Sequence, residues 1–327
     1  MLKTKQRLQQ LPFAISGLAF GLVSLGWNLE VAYPLDGILQ ILTALLSTLI
    51  IIAVIFKLYY LSPYVFPLIK DPSIGPLSPT IALVIMIGSV NFSGDSAIFI
   101  WFFGFILHSL LLILFIITRY QNFQMAQVAP SWFIPFVAII VAALTYPQMS
   151  QSSMAWLATN HVIIQQIFSQ SVVIFAIASY FLILPLITYK VISKPLLTAD
   201  TRASLALYAA PANLCLLGYL LYFPTTSLSL MVLLLIIAIA MSIFSYVIVL
   251  QLIHRPFTPA FSSFTFPLVI GSPTMQAVSS YFEQQQFDEL YIHFFAYLAQ
   301  LQLYAATLVT VYVVYQYARF LYRSNTN

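Results

Sequence analysis

The chain has 327 residues, of which 61% are hydrophobic and only 6% charged, with a formal net charge of +4 and a mean hydropathy of +0.97. A soluble domain carries charge on about a quarter of its residues, so this composition excludes one and calls for a bilayer as solvent. The lone cysteine, Cys215, excludes an intrachain disulfide and a thiolate-built metal site, and the basic balance reads as loop asymmetry, with no nucleic-acid partner implied.

Uncharged apolar runs of membrane length predict an all-α protein with ten transmembrane helices, at about 12–29, 37–56, 76–94, 96–118, 130–148, 161–189, 203–223, 227–253, 258–282 and 291–318. Barrel strands need only about ten alternating residues, roughly half these lengths, so a β-barrel is excluded. The third, fifth and ninth runs are interrupted by prolines and have the least secure ends. A signal peptide is the competing reading of the first run. That run continues to Glu30, beyond the usual apolar region of about 7–15 residues, and lacks a small-residue cleavage site. The expectation is one transmembrane domain over 1–327 with short tails at about 1–11 and 319–327 and no long regulatory extension.

Charge sorting supports the count, because cytoplasmic loops carry the excess of Lys and Arg. With the N-terminus inside, Lys3, Lys5, Arg7, Lys57, Lys70, Arg119, Lys190, Lys194, Arg202, Arg255, Arg319 and Arg323 all fall on the cytoplasmic side. Glu30, Asp36, Asp95, Glu283, Asp288 and Glu289 fall outside, leaving Asp71 and Asp200 within. Both termini are therefore expected in the cytoplasm of a multi-pass cell-membrane protein. No acid or base sits mid-span. The one mid-span ionisable group is His108, read as a packing histidine or, in the alternative, as part of a proton path.

Helix breakers segregate. Odd-numbered spans hold Pro12, Gly17, Gly21 and Gly26; Pro76, Pro79 and Gly88; Pro130, Pro135 and Pro147; Pro211 and Gly218; and Pro267, Gly271 and Pro273. The interiors of the even-numbered spans hold only Gly104 and, near the end of the sixth, Pro185. Broken helix is tolerated at membrane depth where it is buried in protein or lines a watery cavity. Five helical hairpins around a central pore follow, kinked odd helices inside and straighter even helices outside. The competing reading is the general abundance of Gly and Pro in membrane helices. Neutral polar residues of the inner helices, Ser16, Asn91, Thr145, Asn213, Thr265 and Ser272, are candidate anion donors, with helix-packing contacts as the alternative for each.

Four stretches on odd helices carry a family resemblance: LPFAISGLAFGLVSLGWNLE at 11–30, APSWFIPFVA at 129–138, LYAAPANLCLLGYL at 207–220 and SFTFPL at 263–268. Over nearly the whole chain the sequence resembles the tellurite-resistance/dicarboxylate transporter family, which includes the bacterial tellurite-resistance channel homologue, fungal malate and sulfite transporters and the plant slow-type anion channels. The resemblance implies a homotrimer with one pore per subunit and a phenylalanine plug on the ninth helix. By the FTFP pattern that role falls to Phe266, with Phe264 as its rival and core packing as the alternative for either ring. Pro267, Gly271 and Pro273 would kink the gate helix and aim the ring at the axis. Gly17, Gly21, Gly88, Pro135, Pro211, Asn213 and Thr265 are the accompanying pore-lining or kink candidates.

The expected function is passage of small monovalent anions or organic acids through a neutral, phenylalanine-gated pore in the bilayer, without cofactor or metal. The alternative is a proton-coupled carrier for a C4-dicarboxylate such as malate, or one related to sulfite or tellurite, with His108, Asp95 or His161 titrating. An intramembrane enzyme finds no support, since His108, His161, His254 and His293 lie at no ligand spacing and no nucleophile is paired with a base.

Overall fold

A computed structural model describes residues 10–60, 70–72, 74–147, 152–193, 198–223, 225 and 227–326. Lys3, Lys5, Arg7 and Lys194 lie outside the described residues. Among the described residues the chain is helical, with no strand.

After two continuous helices, broken and continuous segments alternate. Long continuous helices are α1 (Ile15–Ala32), α2 (Ile38–Tyr60), α4 (Gly94–Gln121), α7 (Ala155–Ser193), α10 (Leu228–Leu252) and α13 (Glu289–Thr326). Between them the chain is broken into short pieces. α3 (Pro79–Gly88) is flanked by 3-10 turns at Gly75–Leu77 and Ser89–Asn91. The next segment runs from a 3-10 turn at Pro130–Trp132 through α5 (Phe133–Val137) to α6 (Ile140–Leu144). Another runs from α8 (Ala199–Ala203) through a 3-10 turn at Ser204–Tyr208 to α9 (Ala209–Tyr222). The last runs from a 3-10 turn at Pro259–Phe264 through α11 (Thr265–Val269) to α12 (Gly271–Gln284).

Proline position explains the pieces. The first four N–H groups of a helix have no partner within it, so proline in the first turn removes nothing that was bonded. Pro79 opens α3, and Pro135, Pro211, Pro267 and Pro273 each occupy the third position of α5, α9, α11 and α12. Each segment is a helix restarted at its proline.

Among the described residues, seven helices are long and apolar enough to cross a membrane: Ile15–Ala32, Ile38–Tyr60, Gly94–Gln121, Ala158–Ser193, Ala199–Tyr222, Leu228–Leu252 and Glu289–Arg323. The third, fifth and ninth expected spans are missing from this set, each broken into pieces; the seventh, Ala199–Tyr222, is broken as well but still reaches membrane length. Expected loop positions also shift. Lys57 falls in the last turn of α2 and Asp95 in the first turn of α4.

Burial follows the same alternation. α1 and Ala199–Tyr222 bury most of their residues, whereas α2, α4, α7, α10 and α13 bury a third or fewer. Each of these five packs against the segment preceding it: α2 on α1, α4 on α3, α7 on α5 and α6, α10 on α9, and α13 on α12. The five buried segments also contact one another in a cycle, from α1 to α3, to α5 and α6, to α9, to α11 and α12, and back to α1.

Hydrogen bonds tie the segment ends at two levels. At one, Lys57 Nζ donates to the Leu11 carbonyl, and Arg119 donates to the carbonyl of Lys70 and, at 2.7 Å, to Gln127 Oε1. Ser263 Oγ donates to Ala203 O at 2.7 Å and Tyr317 to Pro259 O at 2.5 Å. At the other level, the Glu30 carboxylate accepts from the N–H groups of Leu35, Gly37 and Leu39 at 2.5, 2.8 and 3.3 Å, serving the orphan donors where α2 starts. Gly37 adopts φ +79° in that turn, a conformation glycine takes without steric cost. Asp95 accepts from Ser152 and Ser153 at the same level. Basic Lys57, Lys70 and Arg119 thus gather at one end of the bundle, and acidic Glu30 and Asp95 at the other.

Candidate functional site

Two cavities lie within the cycle of buried segments. The smaller, of about 50 Å³, is lined by residues of every segment, among them Gly17, Thr80, Val137, Pro211 and Ser262. The larger, of about 700 Å³, is again lined by all five, with Trp27, Ile87, Leu144, Leu217 and Gln276 as representatives, and adds Gln300 and Leu303 of α13. In each segment the lower residue numbers line the small cavity and the higher numbers the large one. All five therefore run in one direction past both. Along α1 the lining positions are 17, 20, 24, 27, 28, 31 and 32, the three-and-four spacing of one helical face.

Phe266 is the residue the two cavities share. Its ring is buried, 6% exposed, and stacks on Phe20 of α1 with centroids 3.8 Å apart and planes 25° apart. Phe264 is fully buried against Phe261, centroids 4.7 Å apart, and lines neither cavity. The two phenylalanines of FTFP thus occupy different environments, two residues apart on the helix.

The other candidates divide. Gly17, Pro211 and Pro267 line the small cavity, and Ser272 and Pro273 the large one. Gly21 lies where α1 and α11 press together: a Cβ there would stand 2.1 Å from Thr265 Oγ1 and 3.0 Å from the Phe266 nitrogen. Thr265 is buried, and its hydroxyl donates to Ser262 O at 2.8 Å. Gly271 meets α13, where an added Cβ would stand 2.2 Å from Gln302 Oε1, and Gly88 has nothing within 4 Å of one. Asn213 turns toward α10, donating to Ser242 Oγ at 2.9 Å and to Ala209 O at 2.8 Å. Ser16 and Thr145 bond backbone carbonyls of their own segments, while Asn91 accepts from Gln40 of α2 at 3.2 Å.

His108 is fully buried, with Nε2 3.0 Å from the carbonyl oxygen of Pro135. A carbonyl only accepts, so Nε2 carries the proton. The histidine serves the backbone at the α5–α6 break, and it lines neither cavity. Phe20, Trp27, Asn28 and Gln276 were not singled out from the sequence as lining residues. Their spacing was the available signal; α1, which holds the first three, is apolar on nearly every side and shows little contrasting stripe, whereas α12, which holds Gln276, is amphipathic.

The lining of both cavities, among the described residues, contains no Asp, Glu, Lys or Arg. Its polar groups are hydroxyls and amides, such as Thr80, Ser262 and Ser263 on one side of Phe266 and Ser24, Asn28 and Gln276 on the other. Nor do the described residues include a group of three or more His, Cys, Asp or Glu able to hold a metal ion.

A multi-pass helical membrane protein with a buried, uncharged cavity system belongs to the class that passes small solutes across bilayers. The SLAC1 family model, described as voltage-dependent anion channel, matches residues 11–318, and the chain belongs to that family of membrane anion channels and transporters. No curated protein matches the chain significantly.

Proposed function

We propose that the protein is an anion channel in which ten membrane crossings form five hairpins around a pore closed at Phe266. The observation that carries this reading is the position of Phe266 between two cavities that are both lined by all five buried segments. The small monovalent anions it passes would be selected by dehydration cost, since a lining without fixed charge offers only hydroxyl, amide and helix-dipole attraction. Weakly hydrated nitrate would pass more readily than chloride, and an organic acid such as malate would pass as its monoanion. Both termini, and the end of the bundle holding Lys57, Lys70 and Arg119, would face the cytoplasm. The apolar faces of the outer helices would meet lipid and, in a homotrimer, neighbouring subunits.

A proton-coupled carrier for malate, sulfite or tellurite needs a titrating group on the permeation path. Asp95 is held by two serines, His161 Nδ1 lies 2.8 Å from the Ala158 carbonyl and His108 serves Pro135. None of the three lines a cavity, which favours the channel.

The test is current across planar bilayers holding the purified protein, wild type against Phe266→Ala, in asymmetric nitrate, chloride and malate salts. Anion-selective current that rises strongly in the variant is expected. Absence of current in both proteins, together with proton-dependent malate uptake into liposomes, would establish the carrier instead.

A further inference from the structure

We infer that Phe20 is the second half of the gate: a fixed ring that holds Phe266 closed, so that opening consists of Phe266 leaving Phe20 and moving toward the larger cavity. The inference rests on the reading of Phe266 as the pore closure and adds the residue that controls it.

The two rings sit on unequal supports. Phe20 lies inside α1, a continuous helix of 18 residues. Phe266 lies on α11, five residues long, with a 3-10 turn before it and a restart at Gly271 after it. Relative motion therefore belongs to Phe266. The close approach of the two helices sets the stack. Gly17 and Gly21 flank Phe20 on α1, and Thr265, which precedes Phe266, brings its hydroxyl 3.4 Å from the Gly17 carbonyl and against the bare Cα of Gly21.

Space gives the direction. Both rings line the small cavity, whose roughly 50 Å³ admits little more than a water molecule or two. Only Phe266 also borders the larger one, about 700 Å³. A ring displaced from the stack finds room on that side. The stacked rings bury each other's apolar faces, and closure without Phe20 loses that burial.

The experiment measures anion efflux from proteoliposomes, which integrates small leaks over minutes, for wild type, Phe266→Ala, Phe20→Ala and Phe20→Leu. Phe20→Leu keeps apolar bulk and removes the stack, and should raise efflux about 2- to 10-fold over wild type. Phe20→Ala should rise further, toward Phe266→Ala, although Phe266 is still present. If Phe266→Ala conducts while both Phe20 variants match wild type, Phe20 is packing and the inference is overturned with the Phe266 gate intact. If Phe20→Ala conducts and Phe266→Ala does not, closure belongs to Phe20 alone and the inference is again overturned. No efflux from any variant removes the gate reading itself. Size-exclusion profiles establish which variants fold, and should Phe20→Ala not fold, Phe20→Leu decides.

Discussion

Adding one methyl group at Gly21 tests the geometry of the proposed closure without touching either ring. An alanine Cβ there would lie 2.1 Å from Thr265 Oγ1, 2.4 Å from Thr265 Cβ and 3.0 Å from the backbone nitrogen of Phe266. Ordinary carbon contacts begin near 3.5 Å, so α11 must retreat from α1 by about 1 Å. Rotating the Thr265 hydroxyl relieves only the first contact, because its Cβ is fixed to the backbone. Overpacking of this kind costs about 1–3 kcal/mol. The retreat also moves Phe266, the next residue, off Phe20, whose ring centroid is 3.8 Å away. Gly21→Ala should therefore melt at a lower temperature in detergent and carry more anion current than wild type. Gly88→Ala is the control: nothing lies within 4 Å of its added Cβ, and the residue closes helix α3. That change should be neutral or stabilising by up to about 1 kcal/mol. If Gly21→Ala behaves like Gly88→Ala in both melting and current, the contact between α1 and α11 does not hold the gate.

Because no Asp, Glu, His, Lys, Arg or Cys among the described residues lines either cavity, current through Phe266→Ala should vary less than about twofold between roughly pH 5 and pH 8; a steep titration would favour proton coupling. His108→Leu strands the buried Pro135 carbonyl and should destabilise by about 1–3 kcal/mol in thermal melts, with His108→Gln recovering part of the loss through its amide N–H. Gly271→Ala drives a Cβ to 2.2 Å from Gln302 Oε1 and should lower the melting temperature, and Gln302→Ala in the same chain should restore it; failure of that rescue would mean α12 is positioned by something other than this contact.

The proline record was legible because proline acts locally. Pro79, Pro135, Pro211, Pro267 and Pro273 each fall in a broken segment, in a first turn where the missing donor costs nothing, whereas Gly17, Gly21 and Gly26 leave the first odd helix continuous, contrary to the expected kink. The distinction between Phe264 and Phe266 was only half legible. Both precede Pro267, and which ring meets the cavity depends on how α11 is turned against α1. Phe20 was out of reach for a stronger reason: its partner lies on the far side of the chain, and its own neighbourhood is uniformly apolar. Side-chain direction escaped as well, so Asn213 and Thr265, plausible donors by composition, prove to serve neighbouring helices and backbone. The third, fifth and ninth spans looked weak in sequence because prolines interrupt them, and their helices do restart; the seventh restarts as well, at Pro211.

Restarting a helix frees carbonyl oxygens as well as N–H groups, and their direction bears on which ions the cavity tolerates. Carbonyls turned inward make a cation site, as in filters built from backbone oxygens. Here donors on the surrounding helices draw them the other way. Trp101 Nε1 and His108 Nε2 of α4 take the carbonyls of Ala142 and Pro135 at 3.1 and 3.0 Å. Ser245 of α10 takes that of Ala206 at 2.9 Å, and Tyr317 of α13 that of Pro259 at 2.5 Å. Each acceptor belongs to a broken segment and each donor to a continuous one. These four oxygens, engaged outward, add no negative dipole to the cavities, although the segments that carry them are broken. Kinked helices and tolerance of anions are thereby compatible, and the few polar residues on otherwise apolar outer helices are what make them so.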